Sequence, residues 1–366
     1  MRRALLLSLI SIIVLAPAAA ADSGPKVVAS GLDNPRGIDV DRHGFVYVAE
    51  AGRGGAGPCI PGAEGGQVCL GPTGAITQIA FGKQRRIVSG QPSLAAEGTG
   101  AAASGPQDVD VRRFGRGSFV TGLGANPTAR DELGDGGSGL AKLFAFTPWG
   151  RVVERADLAA YEAANDPDKD QPGSEAPDTN PSSVLEVRRG HVVVDAGGND
   201  LLRVGHDGEL STLAIFPSRF VDAPPFLGLP PSAQIPMQSV PTAVAKGPDG
   251  VLYVAELTGF PFPVGAANIY RVAPGSPPEV VASGLTNVTD LAFGHDGLYV
   301  VQIARNGLLA GDSSGEVVRI SHDGTRTSIA SEGLVEPYGI ALGRRGEIYV
   351  SNKSTSAGEG EILRVR

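Results

Sequence analysis

The sequence predicts an all-β protein that folds as a six-bladed β-propeller with four strands in each blade. A hairpin unit recurs six times along the chain, and the hexapeptide VVASGL occurs twice, at 27–32 and at 280–285. Repetition at this spacing is a signature of propellers. The 52 glycines and 28 prolines exclude a mainly helical protein, while the 42% hydrophobic content is sufficient for a packed core.

Each copy of the repeat contains an apolar strand, a tight turn and a second strand rich in valine and tyrosine. The fourth copy reads VPTAVAKGPDGVLYVAEL, in which Pro-Asp-Gly provides the positive-φ residue of a hairpin turn. A proline is tolerated at the first position of a strand because no ladder donor is lost there. Most copies are followed by another strand pair, which makes four strands per repeat. The copies align at Pro35, Pro106, Pro181, Pro241, Val288 and Pro337.

The sixth copy ends at Arg366, one strand short of a full blade. We predict that residues 26–32 provide the missing outer strand, because their twin at 279–285 occupies that position in the fourth blade. The last blade is then closed by the N-terminal strand. A two-sheet sandwich is the alternative fold, but it does not explain the complementary ends. Insertions into the blades are expected at 52–72, 124–138, 157–180 and 217–240.

Residues 1–21 read MRRALLLSLISIIVLAPAAAA, which is typical of a secretory signal peptide. An uncleaved membrane anchor is the alternative. Residues 22–366 then form a single β-propeller domain that is secreted or periplasmic. Cys59 and Cys69 lie close together in a glycine-rich loop, and outside the cytoplasm such a pair predicts a structural disulfide.

The formal net charge of −8 disfavours nucleic acid and anionic membrane surfaces as partners. Beyond residue 21 no stretch is long and apolar enough for an integral membrane segment. The partners that remain are a small molecule, a glycan or another protein.

Polar and aromatic residues of the repeats are expected to meet at one face of the propeller. Innermost strands start and second strands end at this face, which we call the funnel face. GFPFPVG at 259–265 adds two aromatic residues, which could form a pocket wall or fill a gap between blades. The predicted ligand-binding residues are Arg36, Gln107, Asp108, Asn180, Asn199, Asp290, Tyr338, Phe260 and Phe262.

Oxygen-bearing side chains at the same face could hold Ca²⁺, the one cofactor that the sequence indicates. They could instead cap exposed backbone at strand ends. Asp166, Asp168 and Asp170 have the alternating spacing of a calcium loop, but the glycine and glutamate of an EF-hand are missing. That loop is either a looser cation site or solvated. The candidate metal ligands are Glu50, Asp195, Asp200, Glu256, Gln302 and Asn352.

The histidines lie in or beside turn sequences and are therefore expected away from the funnel face. This placement disfavours a quinone-dependent sugar dehydrogenase, which needs a histidine base near its substrate. No nucleophile elbow or Ser/His/Asp grouping is evident. The leading interpretation is a non-catalytic binding module. The alternatives are a Ca²⁺-dependent hydrolase or lactonase, in which Glu50, Asp195, Asn199 or Glu256 holds the metal, and a structural scaffold.

The chain resembles the ScyD/ScyE family of exported propellers over nearly all of residues 26–366. The stretches that carry the resemblance are NPRGIDVDRHGFVYVAEAG, the cysteine pair, VVVDAGGNDLL, QSVPTAVAKGPDGVLYVAELTGFPFPVGAANIYRV and GEILRV. The resemblance implies a secreted six-bladed propeller of the NHL or TolB-like kind. It implies no catalytic residue.

Overall fold

The repeats form six antiparallel sheets, which are the blades of a β-propeller. Five have four strands, and the sheet of blade 1 has an additional short strand. The computed structural model describes residues 24–63 and 65–366. The predicted signal peptide at 1–21 lies outside the described residues. Within each blade the strands follow one another from the innermost to the outermost position, apart from the last strand of blade 6. The predicted fold class is therefore confirmed.

Blades 1 to 3 occupy the first half of the chain. Blade 1 consists of β2 (Pro35–Val40), β3 (Val46–Glu50), β5 (Gln67–Ala80) and β6 (Lys83–Ala96), and β4 (Cys59–Pro61) pairs with β5. Blade 2 consists of β7 (Pro106–Val111), β8 (Gly117–Thr121), β9 (Lys142–Phe146) and β10 (Val152–Asp157). Blade 3 consists of β11 (Pro181–Val187), β12 (Gly190–Asp195), β13 (Asp200–Val204) and β14 (Leu210–Ile215).

Blades 4 to 6 carry shorter connections. Blade 4 consists of β17 (Pro241–Lys246), β18 (Leu252–Glu256), β19 (Ala267–Val272) and β20 (Glu279–Leu285). Blade 5 consists of β21 (Val288–Gly294), β22 (Gly297–Gln302), β23 (Glu316–Ile320) and β24 (Arg326–Ala330). Blade 6 consists of β25 (Ile340–Leu342), β26 (Ile348–Asn352), β27 (Gly360–Arg364) and β1 (Lys26–Leu32).

The N-terminal strand closes the ring as predicted. β1 pairs antiparallel with β27, from Lys26 opposite Arg364 to Leu32 opposite Gly360. Leu32 is buried in a cluster that also contains Ile362 of blade 6 and Val48 of blade 1. The strand therefore completes blade 6 and also packs toward the next blade.

The predicted insertions contain the remaining elements. The disulfide joins Cys59 and Cys69, as predicted, across the pairing of β4 with β5. The other elements are α1 (Ala129–Glu132), α2 (Leu158–Asn165), the hairpin of β15 (Arg219–Asp222) with β16 (Gln234–Met237), and 3₁₀ turns at Arg113–Gly115, Gly134–Gly137, Pro225–Leu227 and Leu308–Ala310. None of the helices in the described part of the chain has the length and apolar character needed to cross a membrane.

Hydrogen bonds around the central channel link every blade to the next. A side chain on an inner or second strand bonds to the backbone of the neighbouring inner strand. Gly37 has no side chain because the Asp108 carboxylate of blade 2 lies where its Cβ would be. The six links are Asp39–Val111, Asp108–Val184, Ser183–Val244, Thr242–Val288, Asp290–Ile340 and Ser351–Arg36.

Candidate functional site

A ring of six side chains, one from each blade, lines a cavity of about 550 Å³ at the funnel face. Each member directly follows the aligned first residue of its repeat. In blades 1 to 5 the strand pairing skips this position, and such a bulge turns a side chain out of the ladder. We call this cavity the funnel cavity. The ring consists of Arg36, Gln107, Ser182, Thr242, Thr289 and Tyr338.

The sixth member is positioned differently from the others. The aligned residue of blade 6 is Pro337, but β25 begins only at Ile340. The backbone N–H of Tyr338 donates to the carbonyl of Ser351, and the N–H of Gly339 donates to the Ser351 hydroxyl. The short strand thus keeps its register through these bonds, and Tyr338 still reaches the cavity.

Arg36 and Tyr338 lie together in the ring. The Arg36 guanidinium carbon is 5.0 Å from the centroid of the Tyr338 ring, and its Nη2 donates to the carbonyl of Ala103 at 3.0 Å. Burial raises the pKa of the Tyr338 phenol to about 12 against the opposing effect of Arg36. The tyrosine therefore keeps its proton at neutral pH and can donate a hydrogen bond to a ligand.

Asn180 reaches the same cavity from the loop that precedes β11. Its backbone N–H donates to Asp195 at 2.6 Å, which fixes the loop. Its side-chain Oδ1 is buried and has no hydrogen-bond partner among the described residues. A Cβ at Gly122 would lie 2.4 Å from this oxygen and 3.0 Å from the Gln107 amide nitrogen, so glycine is needed to leave room for both amides.

Apolar side chains form the upper walls of the funnel cavity. They come from the long hairpin of blade 1, from the loops that follow second strands and, for Val240, from the segment that leads into β17. A polar floor under apolar walls is the usual composition of a small-molecule site. The wall residues are Val68, Leu94, Leu123, Val240, Leu257, Ile303 and Leu308.

Four of the predicted ligand-binding residues therefore line the cavity, namely Arg36, Gln107, Asn180 and Tyr338, and five do not. Asp108 and Asp290 lie deeper and belong to the blade links. Asn199 donates to Asp168 and accepts from the backbone of Val240. Phe260 contacts Phe226 and Phe262 at ring distances of 6.2 Å, outside the lining.

Four aspartates of the inner strands, Asp39, Asp108, Asp110 and Asp290, form a second feature, which we call the channel carboxylates. Burial raises the pKa of Asp39 and of Asp108 to about 7, and that of Asp110 to about 6. Burial and the charge of Asp108 hold the pKa of Asp290 well above its usual range. The channel below the funnel cavity is thus rich in carboxyl groups that resist ionisation.

The raised pKa values predict a pH dependence of stability. Between about pH 4 and pH 7 the native state binds more protons than the unfolded chain, so these groups lower the free energy of unfolding as pH rises. Asp110→Asn keeps the bond that Asp110 Oδ2 accepts from the backbone N–H of Glu186. At about pH 8 we expect the free energy of unfolding of this variant to exceed that of wild type by on the order of 1–3 kcal/mol. Urea unfolding at about pH 5 and pH 8 measures the gain.

The difference in free energy of unfolding between variant and wild type should vanish at the lower pH, where the side chain at position 110 is uncharged in both proteins. An equal change at both pH values would contradict the prediction, because it would reflect packing and not ionisation. Asp170→Asn, an exposed change of the same type, is the matched control and should show no gain at either pH.

Most of the predicted metal ligands are engaged within their own blades. Four of them lie at the ends of second strands, and each accepts a hydrogen bond from the segment that leads into its blade. These acceptor–donor pairs are Glu50–Asp33, Glu256–Ser239, Gln302–Thr286 and Asn352–Val335. Glu50 and Glu256 are also paired with Arg86 and Arg219. The structure therefore does not bring these four residues together as one metal site.

The two aspartates of that set, Asp195 and Asp200, lie at the ends of β12 and β13 beside carboxylates of the 157–180 insertion. One carboxylate oxygen each of Glu162, Asp166 and Asp168 lies within 4.8 Å of the others. Burial and the charges of Asp195 and Asp168 raise the pKa of Glu162 to about 8. We call Glu162, Asp166, Asp168 and Asp200 the blade 3 carboxylates.

The opposite face carries a positively charged cavity of about 270 Å³ between blades 2 and 3. His191 and His206 lie here with several arginines, in keeping with the predicted placement of histidines at hairpin turns. Burial and the nearby Arg112 lower the pKa of His191 to about 4, so this histidine is neutral. The arginines that line the cavity are Arg112, Arg116, Arg151 and Arg155.

No protein-family model and no curated protein matches the sequence. Solved structures do match it. A Bacteroides thetaiotaomicron protein of unknown function is 10% identical, with 93% of this chain and 72% of that chain covered and a TM-score of 0.54.

Two further solved structures cover nearly all of both chains. A putative oxidoreductase (glucose dehydrogenase) from Thermus thermophilus is 16% identical over 93% of this chain and 98% of that one, with a TM-score of 0.50. A streptogramin B lyase is 14% identical over 93% and 96%, with a TM-score of 0.46. At these identities a likeness concerns the fold alone.

Proposed function

We propose that this protein is an exported, non-catalytic binding protein that takes a small polyhydroxylated molecule, such as a sugar, into the funnel cavity. One observation carries the proposal. The buried Oδ1 of Asn180 has no hydrogen-bond donor among the described residues, and Asn180 is one of the residues that line a cavity with one polar side chain from each blade. A buried acceptor without a donor costs stability, and a ligand hydroxyl would supply that donor.

The chemistry of the cavity selects the ligand class. A hydroxyl group can donate to Asn180 and accept from a neighbouring amide or guanidinium, so one polyol satisfies both kinds of group. The apolar walls suit the C–H faces of a sugar ring. A volume of about 550 Å³ lies in the range of small-molecule sites.

Export is part of the proposal. The Cys59–Cys69 disulfide supports an oxidising compartment, since structural disulfides are rare in the cytosol. The signal peptide and the ScyD/ScyE resemblance stay predictions from the sequence. A secreted propeller with a ligand cavity is consistent with both.

The geometry does not favour the hydrolase alternative. That mechanism needs Glu50, Asp195, Asn199 or Glu256 to place free oxygens on a metal above the channel. Asp195 already accepts hydrogen bonds from Thr179 and from the backbone of Asn180, and the Asn199 side chain bonds to Asp168 and Val240. Glu50 is bound by Arg86, and Glu256 is bound by Arg219. Their oxygens are committed to their own blades.

A panel of neutral monosaccharides, disaccharides and sugar acids tests the proposal. We expect at least one to bind the purified protein in ligand-observed NMR, with its affinity then measured by calorimetry. Asn180→Ala should weaken binding of that ligand at least about tenfold, because it removes the acceptor that has no donor in the described part of the protein. Gln107→Ala should act in the same direction.

Asn306→Ala is the matched control, since this amide is exposed and lies outside the cavity. It should bind like wild type. If no compound of the panel binds, the ligand class is wrong. If a sugar binds equally well to wild type and to Asn180→Ala, the site lies elsewhere.

A further inference from the structure

We propose that the blade 3 carboxylates form a calcium site beside the funnel cavity, with Glu162, Asp166 and Asp168 as ligands and Asp200 facing the ion. This site goes beyond the ligand proposal because it uses different residues and a different chemistry. Of the six candidate metal ligands predicted from the sequence it retains only Asp200, and it takes Asp166 and Asp168 from the loop that the sequence left open as a looser cation site.

The insertion places the three ligands on one side of a short segment. Glu162 lies in α2, and Asp166 follows the last residue of that helix in a left-handed conformation with φ 43°. The chain then turns back, so that Asp168 joins the other two with ligand oxygens within 4.8 Å of one another. Asp168 is fixed by the amide of Asn199, which donates to its Oδ2 at 2.8 Å.

Unpartnered carboxylate oxygens point to a missing positive ligand. Asp200 is fully buried, and neither of its oxygens has a hydrogen-bond partner among the described residues. Glu162 is 1% exposed. Its Oε1 and the Oδ1 of Asp166 also have no hydrogen-bond partner among the described residues. Asp200 directly follows Asn199, whose side-chain amide donates to Asp168, so Asp200 lies beside the same cluster. Acidic groups that only face solvent would not be buried in this way.

No lysine or arginine in the described part of the chain forms an ion pair with any of these four carboxylates. Two other buried acids have such a partner, Glu50 with Arg86 and Glu256 with Arg219. The channel carboxylates form no ion pair among the described residues either, but each of them accepts a backbone hydrogen bond, which Asp200 does not. Buried like charges without a counterion are strongly unfavourable. A divalent cation would neutralise the cluster and satisfy its unpartnered oxygens together.

The donor set selects Ca²⁺. All of the ligands are carboxylate oxygens, which are hard donors, and neither cysteine nor histidine takes part. Ca²⁺ accepts six to eight oxygens in irregular arrangements, whereas Mg²⁺ demands a near-octahedral set and keeps several waters. A helix, a loop and a strand end supply an irregular set. Bound Ca²⁺ would tie the 157–180 insertion to blade 3, next to Asn180 of the funnel cavity.

Calorimetric titration of the EDTA-treated protein with CaCl₂ tests the proposal directly. We expect one ion per chain with a dissociation constant of about 10⁻⁷–10⁻⁵ M, and weaker binding of MgCl₂. At about 1 mM CaCl₂ the Tm should rise by about 5–10 °C. Absence of both binding heat and a Tm shift in wild type would overturn the proposal without any variant.

Asp166→Asn and Asp170→Asn form a matched pair, because they remove the same charge from one loop. Asp166 is a proposed ligand and Asp170 is exposed. Asp166→Asn should weaken Ca²⁺ binding at least about tenfold and raise the Tm measured in EDTA, since it removes repulsion from the ion-free cluster. Asp170→Asn should leave both quantities unchanged. Wild-type Ca²⁺ affinity in folded Asp166→Asn would count against the site.

Discussion

A chain that lacks residues 26–32 is expected to lose cooperative folding. β1 is the outer strand of blade 6, and without it the backbone of β27 becomes an unpaired edge. The deletion also opens the buried cluster in which Leu32 contacts side chains of blades 1 and 6. Because the propeller is a ring, loss of the strand that joins its first and last blades should affect all six. Thermal unfolding followed by circular dichroism measures the loss.

Two single substitutions in β1 separate closure from general damage to the strand. Leu32→Ala should cost about 2–4 kcal/mol, because Leu32 is 1% exposed and its removal leaves a cavity. Val27→Ala, at a position that is 49% exposed, should cost less than about 0.5 kcal/mol. Urea denaturation gives both values. Equal effects, or an unchanged transition in the deletion variant, would show that β1 does not close the ring.

The closure of the ring could be predicted from the strand count of the repeats. A hairpin unit that recurs six times and ends one strand short must take that strand from elsewhere, and only 26–32 carries the matching hexapeptide. Local turn chemistry and hydrophobic pattern agree with the blade in each copy, which makes such a prediction dependable.

The funnel ring could be predicted only in part. Arg36, Gln107 and Tyr338 stand out as polar residues, whereas Thr242 and Thr289 are inconspicuous in a β protein. The signal that identifies all six members is their shared position, one residue after the aligned start of each repeat. Alignment of the repeats by position, without regard to residue type, would have found Ser182, Thr242 and Thr289, which the predicted ligand-binding residues omitted.

The partners of buried acids could not be predicted, because they depend on how insertions fold back. Arg86 belongs to β6 and Arg219 to the added hairpin, and both reach acids that lie far away in sequence. The same holds for Glu162, which the sequence places in an insertion and the structure places beside Asp200. Sequence pattern fixes the blades, but it contains no comparable rule for loops between them.

Arg86→Met is expected to destabilise the protein by about 3 kcal/mol. Arg86 donates to both oxygens of Glu50, whose side chain is fully buried, and also to Asp33. Removing the guanidinium leaves Glu50 without its cation, whereas Asp33 still has Arg53 at 4.0 Å. Adding Glu50→Gln should recover at least about 1 kcal/mol, because the uncompensated charge is then gone. Urea denaturation of the single and double variants measures the coupling.

Arg219→Met provides the comparison, and its cost should be smaller, about 1–2 kcal/mol. Glu256 keeps hydrogen bonds from Ser239, Tyr270 and the backbone and side chain of Asn268 when the arginine is lost. Among the described residues, Glu50 keeps only the hydrogen bonds from Thr77 and the backbone of Asp33. The two acids occupy equivalent positions in blades 1 and 4. The difference in destabilisation between the two arginine variants therefore reports how many hydrogen-bond donors each acid keeps. Equal costs, or no recovery in the double variant, would mean that the arginines stabilise their blades by packing and not by neutralising buried carboxylates.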